Sequence, residues 1–185
     1  ESDYLVRALR AHQYQVSYES YIEFKSTEFN LPPDTDWIFF SSKNGVKHFF
    51  KGVNSAQLNG VKIAAINQGT AQSVYELGLQ VDFIGQGADL HKIAHDFDSV
   101  ASGKIVFPQA KTSMQSIQKS LLQNTNTESL IVYENSPKSS LKKRDEAILV
   151  FTSPMSAEAY FTEHAKDDRQ TIISIGQTTT RKLKS

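Results

Sequence analysis

Two stretches of this chain return later in the same order. Phe40-Ser41-Ser42-Lys43-Asn44-Gly45-Val46, running on to Phe49-Phe50, resembles Phe151-Thr152-Ser153-Pro154-Met155-Ser156-Ala157, running on to Tyr160-Phe161. Ile66-Asn67-Gln68-Gly69-Thr70-Ala71 resembles Ile175-Gly176-Gln177-Thr178-Thr179-Thr180. Ser42 and Ser153 are 111 positions apart, and Ile66 and Ile175 are 109 apart. Each copy reads as an apolar strand, a small polar loop and a helix start. A solenoid needs roughly three or more such repeats. A pair recurring at near-constant spacing predicts two similar α/β lobes instead.

The rest of the chain agrees. Strand-like runs are Trp37–Phe40, Lys62–Ile66, Lys104–Phe107, Leu130–Tyr133, Ile148–Phe151 and Thr171–Ile175, with an earlier alternating run at Val16–Phe24. Helical patterns fall between them, at Asp3–His12, Asn44–Lys51, Thr70–Leu77, Leu90–Phe97, Ser113–Leu122, Ser156–Thr162 and Thr178–Leu183. Such alternation predicts mainly parallel sheets covered by helices. Breaker-rich or polar stretches at Thr27–Thr35 and Gln123–Glu128 read as crossings between lobes. One lobe is then expected over 28–127. The other is discontinuous, built from 1–27 and 128–185. A double crossing suits a hinged cleft.

Composition narrows the chemistry. Twenty Lys plus Arg balance twenty Asp plus Glu, so the basic bias usual in nucleic-acid binders is absent. There is no cysteine, which removes disulfides, thiolate nucleophiles and cysteine metal sites. No apolar run is long enough to span a membrane. The start, Glu1-Ser2-Asp3, has no initiator Met and looks trimmed.

Four loops after strands carry small polar residues: Ser41-Ser42-Lys43-Asn44, Gln68-Gly69-Thr70, Thr152-Ser153-Pro154 and Gln177-Thr178-Thr179. Such residues cap helices. They can equally join the free N–H groups of a helix start in binding an anion. Together they would suit a ligand bearing several carboxylates without needing a basic surface.

Other motifs point nowhere specific. Gly85-Gln86-Gly87 lacks the third glycine of a dinucleotide fingerprint, since Leu90 stands there. It reads as a turn. His91 and His95 are one helical turn apart, but no glutamate follows the first, so a solvated helix face is expected. His12, His48 and His164 stand alone. Ser153 lies outside any nucleophile elbow. The run Lys138–Arg144 reads as an exposed basic loop. Tyr133, at a strand end, is either core or a weak acid facing the cleft, and residue type leaves both open.

The segments DWIFFSSKNGVKHFF, KIAAINQGTAQSVYELGLQVDF, IVYENSP, ILVFTSPMSAEAYF and ISIGQTTTRKL, in that order, resemble the uroporphyrinogen-III synthase family. The resemblance implies an α/β fold of two similar flavodoxin-like lobes with mainly parallel sheets, joined by a two-stranded linker, with a cleft between them. Departures are visible. The family's first strand, with its arginine-containing turn, is expected to have been cut. Asn67 replaces a glycine in the middle-lobe loop, where tolerance of positive φ would preserve the turn. Thr180 stands where alanine is common. Gln109-Ala110 replaces Arg-Gly, so no arginine contact carries over.

The resemblance implies an enzyme that takes hydroxymethylbilane, loses its terminal hydroxyl as water, and closes the tetrapyrrole with the last ring inverted through a spiro intermediate. No cofactor and no metal are implied, and the expected form is a cytoplasmic monomer with neither nucleic-acid nor membrane partners. Tyr133 matches the family's "VY" tyrosine and is the expected proton donor. Thr178 and Thr179 match the threonine pair of the last loop and are the other two expected catalytic residues, positioning a carboxylate or the leaving hydroxyl. Ser42, Lys43, Asn44, Gln68, Gly69, Thr70, Ser153, Gly176 and Gln177 are expected to bind the substrate. A two-lobed small-ligand binding protein, which converts nothing, is the alternative reading.

Overall fold

The computed structural model describes residues 2–121 and 126–184. By packing, the chain divides into Phe24–Asn135 and a unit made of Glu1–Glu23 with Ser136–Ser185. The chain passes from one to the other twice.

Within Phe24–Asn135 the order is β2 (Thr35–Phe40), α2 (Lys43–Phe49), a 3-10 turn (Ser55–Leu58), β3 (Lys62–Ala65), α3 (Gln68–Tyr75), β4 (Phe83–Ile84), α4 (Leu90–Asp98), β5 (Lys104–Ala110) and α5 (Ser116–Ser120). Two longer-reaching strands, β1 (Ile22–Ser26) and β6 (Asn126–Pro137), complete one sheet in the order β1-β6-β5-β2-β3-β4. The pairs β2–β3, β2–β5, β3–β4 and β5–β6 are parallel. The chain winds outward from β2 to β4, then returns to place β5 on the other side of β2. In such doubly wound sheets, ligands bind outside the carboxyl ends of the strands at that reversal.

Continuous apolar strands suit this arrangement because both faces are covered. Along β2, Ile38 and Phe40 join Val46, Phe49, Val74 and Val106 in one core, beneath α2 and α3. Trp37 and Phe39 join Ile93, Phe97, Ile105, Phe107 and Ile117 in the other, beneath α4 and α5. Gly45 lets α2 sit against β5, since a Cβ there would lie 2.8 Å from the Pro108 carbonyl. Gly85 does the same beside β3, where a Cβ would come within 2.3 Å of the Ile66 carbonyl. The Gly85-Gln86-Gly87 turn is therefore a packing device.

The other unit holds α1 (Ser2–Ala11), β7 (Ile148–Phe151), α6 (Pro154–Glu163), β8 (Thr171–Ser174) and α7 (Gln177–Lys184). Strands β7 and β8 form a two-stranded parallel sheet. Its inner face packs Leu149, Phe151 and Ile172 with Tyr160, Ala157, Leu141 and Ile22. Arg144 ties this core's edge, with Nε donating to Tyr21 Oη at 3.2 Å, an ion pair to Glu19, and its backbone N–H donating to Tyr160 Oη at 2.9 Å. The basic run is therefore not wholly solvated: Leu141 is buried and Arg144 is engaged.

Several sequence expectations shift. The strand expected over Val16–Phe24 forms only at Ile22–Ser26. The helix expected over Ser113–Leu122 shortens to Ser116–Ser120, because Gln115 enters it in the left-handed region at φ 56°. The strand at Leu130–Tyr133 is the middle of a 12-residue one. Part of the expected crossing at Gln123–Glu128 lies outside the described residues.

Candidate functional site

The carboxyl ends of β3, β2, β5 and β6 lie toward one edge of the larger sheet, and two of the chain's four polar loops leave from it. After β2, Ser42 is extended and its hydroxyl accepts the Gly45 N–H at 3.0 Å, capping α2. After β3, Asn67 does the same for α3, its side-chain oxygen accepting the Thr70 N–H at 2.9 Å. The backbone at Asn67 is extended at φ −160°, so the asparagine serves as a cap and no positive φ is needed there. Each cap leaves the first two helical N–H groups without an intrahelical acceptor: Lys43 and Asn44 in α2, Gln68 and Gly69 in α3.

Lys43 and Gly69 meet. A Cβ on Gly69 would lie 3.5 Å from Lys43 Cε and 4.0 Å from Nζ. The Lys43 ammonium thus lies close to the positive end of α3. Among the described residues it has no carboxylate partner. Both its own charge and the helix end call for an anion. Thr70, by contrast, is buried with its N–H capped, so the loop's open N–H groups are those of Gln68 and Gly69.

Tyr133 lies on β6, opposite Ala110 of β5. Its ring is mostly buried, at 7% exposure, between Phe24 (centroids 6.0 Å apart) and His48 (4.7 Å). Its hydroxyl has no hydrogen bond among the described residues, and no buried side-chain polar atom there lacks a partner. The hydroxyl therefore reaches solvent. Its body thus lies in the core while its polar end is open. Beside it, Lys111 pairs with Glu134 at 2.8 Å, and Thr112 donates to Asn135 at 2.5 Å. Those bonds fasten the β5 and β6 ends together. Their hydrogen bond, and next the attraction of the two charges, raises the pKa of Lys111 and lowers that of Glu134, so the charge of this lysine already has a partner. Gln109, at the family's arginine position, is buried and points to Gln118 at 3.5 Å.

In the other unit, Gly176 has φ 86°, a conformation that favours glycine. Gly176, Gln177 and Thr178 are exposed, whereas Thr179 is 1% exposed. Thr180 is held by Ser174 at 2.8 Å and by the Gly176 carbonyl at 3.2 Å. Ser153 caps α6 and is used twice, accepting the Ser156 N–H at 3.1 Å and donating to Ser156 Oγ at 2.8 Å. Pro154 has no N–H to offer. His91 and His95 are exposed on α4.

A hollow of about 740 Å³ opens at the opposite, amino end of β2 and β5. Asp34, Asp36 and Asp98 line it, and its Lys104 is paired with Glu128 at 2.8 Å. That lining repels a polycarboxylate. His48, alone in the sequence, stacks on Tyr133. The available signal was its place three residues after Gly45, which puts it on the inward side of α2.

A family model described as uroporphyrinogen-III synthase HemD matches residues 3–185. No curated protein matches the chain. Among solved structures, uroporphyrinogen-III synthetase from Helicobacter pylori is 24% identical with a TM-score of 0.72, over 88% of this chain and 79% of that one. A mutant uroporphyrinogen III synthase from Thermus thermophilus is 13% identical with a TM-score of 0.53, over 88% and 76%. At these identities the two structures speak to the fold, which is a mixed α/β one with a mainly parallel sheet. The family model spans nearly the whole sequence, and this chain belongs to the uroporphyrinogen-III synthase family.

Proposed function

We propose that the chain cyclises hydroxymethylbilane to uroporphyrinogen III in haem biosynthesis, and that Tyr133 and Lys43 are central to it. The observation that carries this reading is their shared place. An unneutralised lysine beside a helix start, and a tyrosine hydroxyl open to solvent, stand at the carboxyl end of one sheet.

The substrate bears a carboxylate-rich periphery and is reactive without help. The enzyme's task is to hold it in one fold so that its ends meet in the right sense. Lys43 and the N–H groups of Asn44, Gln68 and Gly69 supply donors to its carboxylates, with Ser42 and Asn67 holding the two loops rigid. Thr70 contributes by fixing the loop from within the core. Gly176, Gln177 and Thr178 form a second group of donors. Thr179, being buried, sets the position of Thr178, and Ser153 supports its own helix.

Tyr133 donates the proton that lets the terminal hydroxyl leave as water. The resulting azafulvene is attacked by the far ring at its substituted carbon, and the spiro product reopens and closes inverted. The phenolate takes a proton back as the macrocycle aromatises its last pyrrole. The chain works as a monomer in the cytoplasm in this account.

The test is steady-state kinetics with hydroxymethylbilane. Tyr133→Phe is expected to lower kcat on the order of 100-fold with KM little changed, the range for losing a general acid. Wild-type kcat in that variant would overturn the assignment.

A further inference from the structure

His48 is 2% exposed and lies almost flat against the Tyr133 ring, with planes 22° apart. Its Nδ1 is 2.8 Å from Ser26 Oγ, and Lys51 Nζ donates to that same oxygen at 3.3 Å. An ammonium only donates. The Ser26 oxygen therefore accepts from Lys51 and still has its own proton and a second lone pair to offer Nδ1. Ser26 holds the ring in either neutral tautomer. Burial first, and next the charges of Lys51 just past the helix and Lys47 on it, push its pKa below the ordinary histidine value, which favours the neutral ring. Among the described residues, the other elements packed around it contribute Ser26 and Tyr133, neither charged at neutral pH.

Phe24 meets the Tyr133 ring at a tilt of 56°, so the phenol has ring neighbours in both Phe24 and His48. A phenol that must deliver its proton to one leaving group needs its ring held, because a misplacement of about 1 Å can cost roughly 100-fold in rate. We infer that His48 is a positioning residue for Tyr133, fixed by Ser26 and acting through the stacked rings without touching substrate. The inference rests on the role given to Tyr133 above.

The experiment is a double-mutant cycle in the full chain, with hydroxymethylbilane as substrate. His48→Leu keeps the volume apolar but removes both the stack and the hydrogen bond to Ser26. It is expected to lower kcat about 10-fold with KM nearly unchanged, part of the roughly 100-fold that misplacement can cost. On a Tyr133→Phe background the same change is expected to cost nothing further, since there is no longer a proton donor to position. His48→Phe keeps the stack and is expected to retain most of kcat at neutral pH. Wild-type kcat should fall as His48 becomes protonated at acid pH, and the His48→Phe profile should lack that limb.

Wild-type kcat in His48→Leu, with Tyr133→Phe slow, overturns this inference alone. So does an equal loss on both backgrounds, which marks a purely structural effect. A fast Tyr133→Phe overturns the role of Tyr133 and the inference with it. Should His48→Leu fail to fold, the His48→Phe profile decides: loss of the acid limb supports the inference, and its retention overturns it.

Discussion

Lys43 carries a charge with no partner among the described residues, beside helix N–H groups that also lack one. A charge-assisted hydrogen bond contributes about 1.5–3 kcal/mol. Lys43→Met is therefore expected to raise KM for hydroxymethylbilane roughly 10- to 100-fold with little change in kcat or melting temperature. An unchanged KM would show that this lysine meets no carboxylate. His48 makes a separate statement about stability. Its folded pKa lies below the ordinary value of 6.5, so as pH falls the unfolded chain takes up that proton first. The contribution is complete above 6.5 and is lost as pH falls through the folded value. Thermal melts between neutral and acid pH are expected to decline more steeply for wild type than for His48→Phe. Parallel declines would contradict the burial argument. Much at this scale was legible from residue type: Ser42 reads as a cap and is one. What residue type hides is direction. Thr178 and Thr179 look alike in sequence, yet one is exposed and the other is core.

Elements were legible where apolar runs are long and both faces are covered. Trp37–Phe40 is such a run, and it forms β2 with alternate side chains feeding two cores. Short or strained pieces were not. β4 is two residues long and exists because Gly85 lets it close on β3. Gly85→Ala is expected to destabilise the fold by about 1–3 kcal/mol through overpacking, read as a shift in the urea midpoint. A shift within error would mean that the β3–β4 contact yields easily. The small sheet of β7 and β8 has one bare face, with Ile148, Val150 and Ile173 exposed. Val150→Thr is then expected to change stability by less than about 0.5 kcal/mol, whereas Leu149→Ala, on the packed face, should cost about 2–5 kcal/mol. Equal costs would show that the bare face is covered in solution.

For the whole molecule, the repeat in the sequence located two strand-loop-helix pairs in each unit, and the structure has them at Phe40–Tyr75 and Phe151–Lys184. The repeat could not show how unequal the sheets are. The larger unit surrounds its pair with β4, β5 and β6, while among the described residues β7 and β8 pair with each other alone. Those added strands create the reversal between β2 and β5, and with it the edge where Lys43 and Tyr133 stand. The chemistry proposed for that edge has a signature in the product itself. Hydroxymethylbilane left alone closes to the type I isomer, and only an imposed fold inverts the last ring. The decisive measurement is the isomer ratio after mixing purified protein with hydroxymethylbilane and oxidising the products for chromatography. The account predicts a product dominated by type III, formed faster than the spontaneous reaction. Type I alone, at the spontaneous rate, would contradict it.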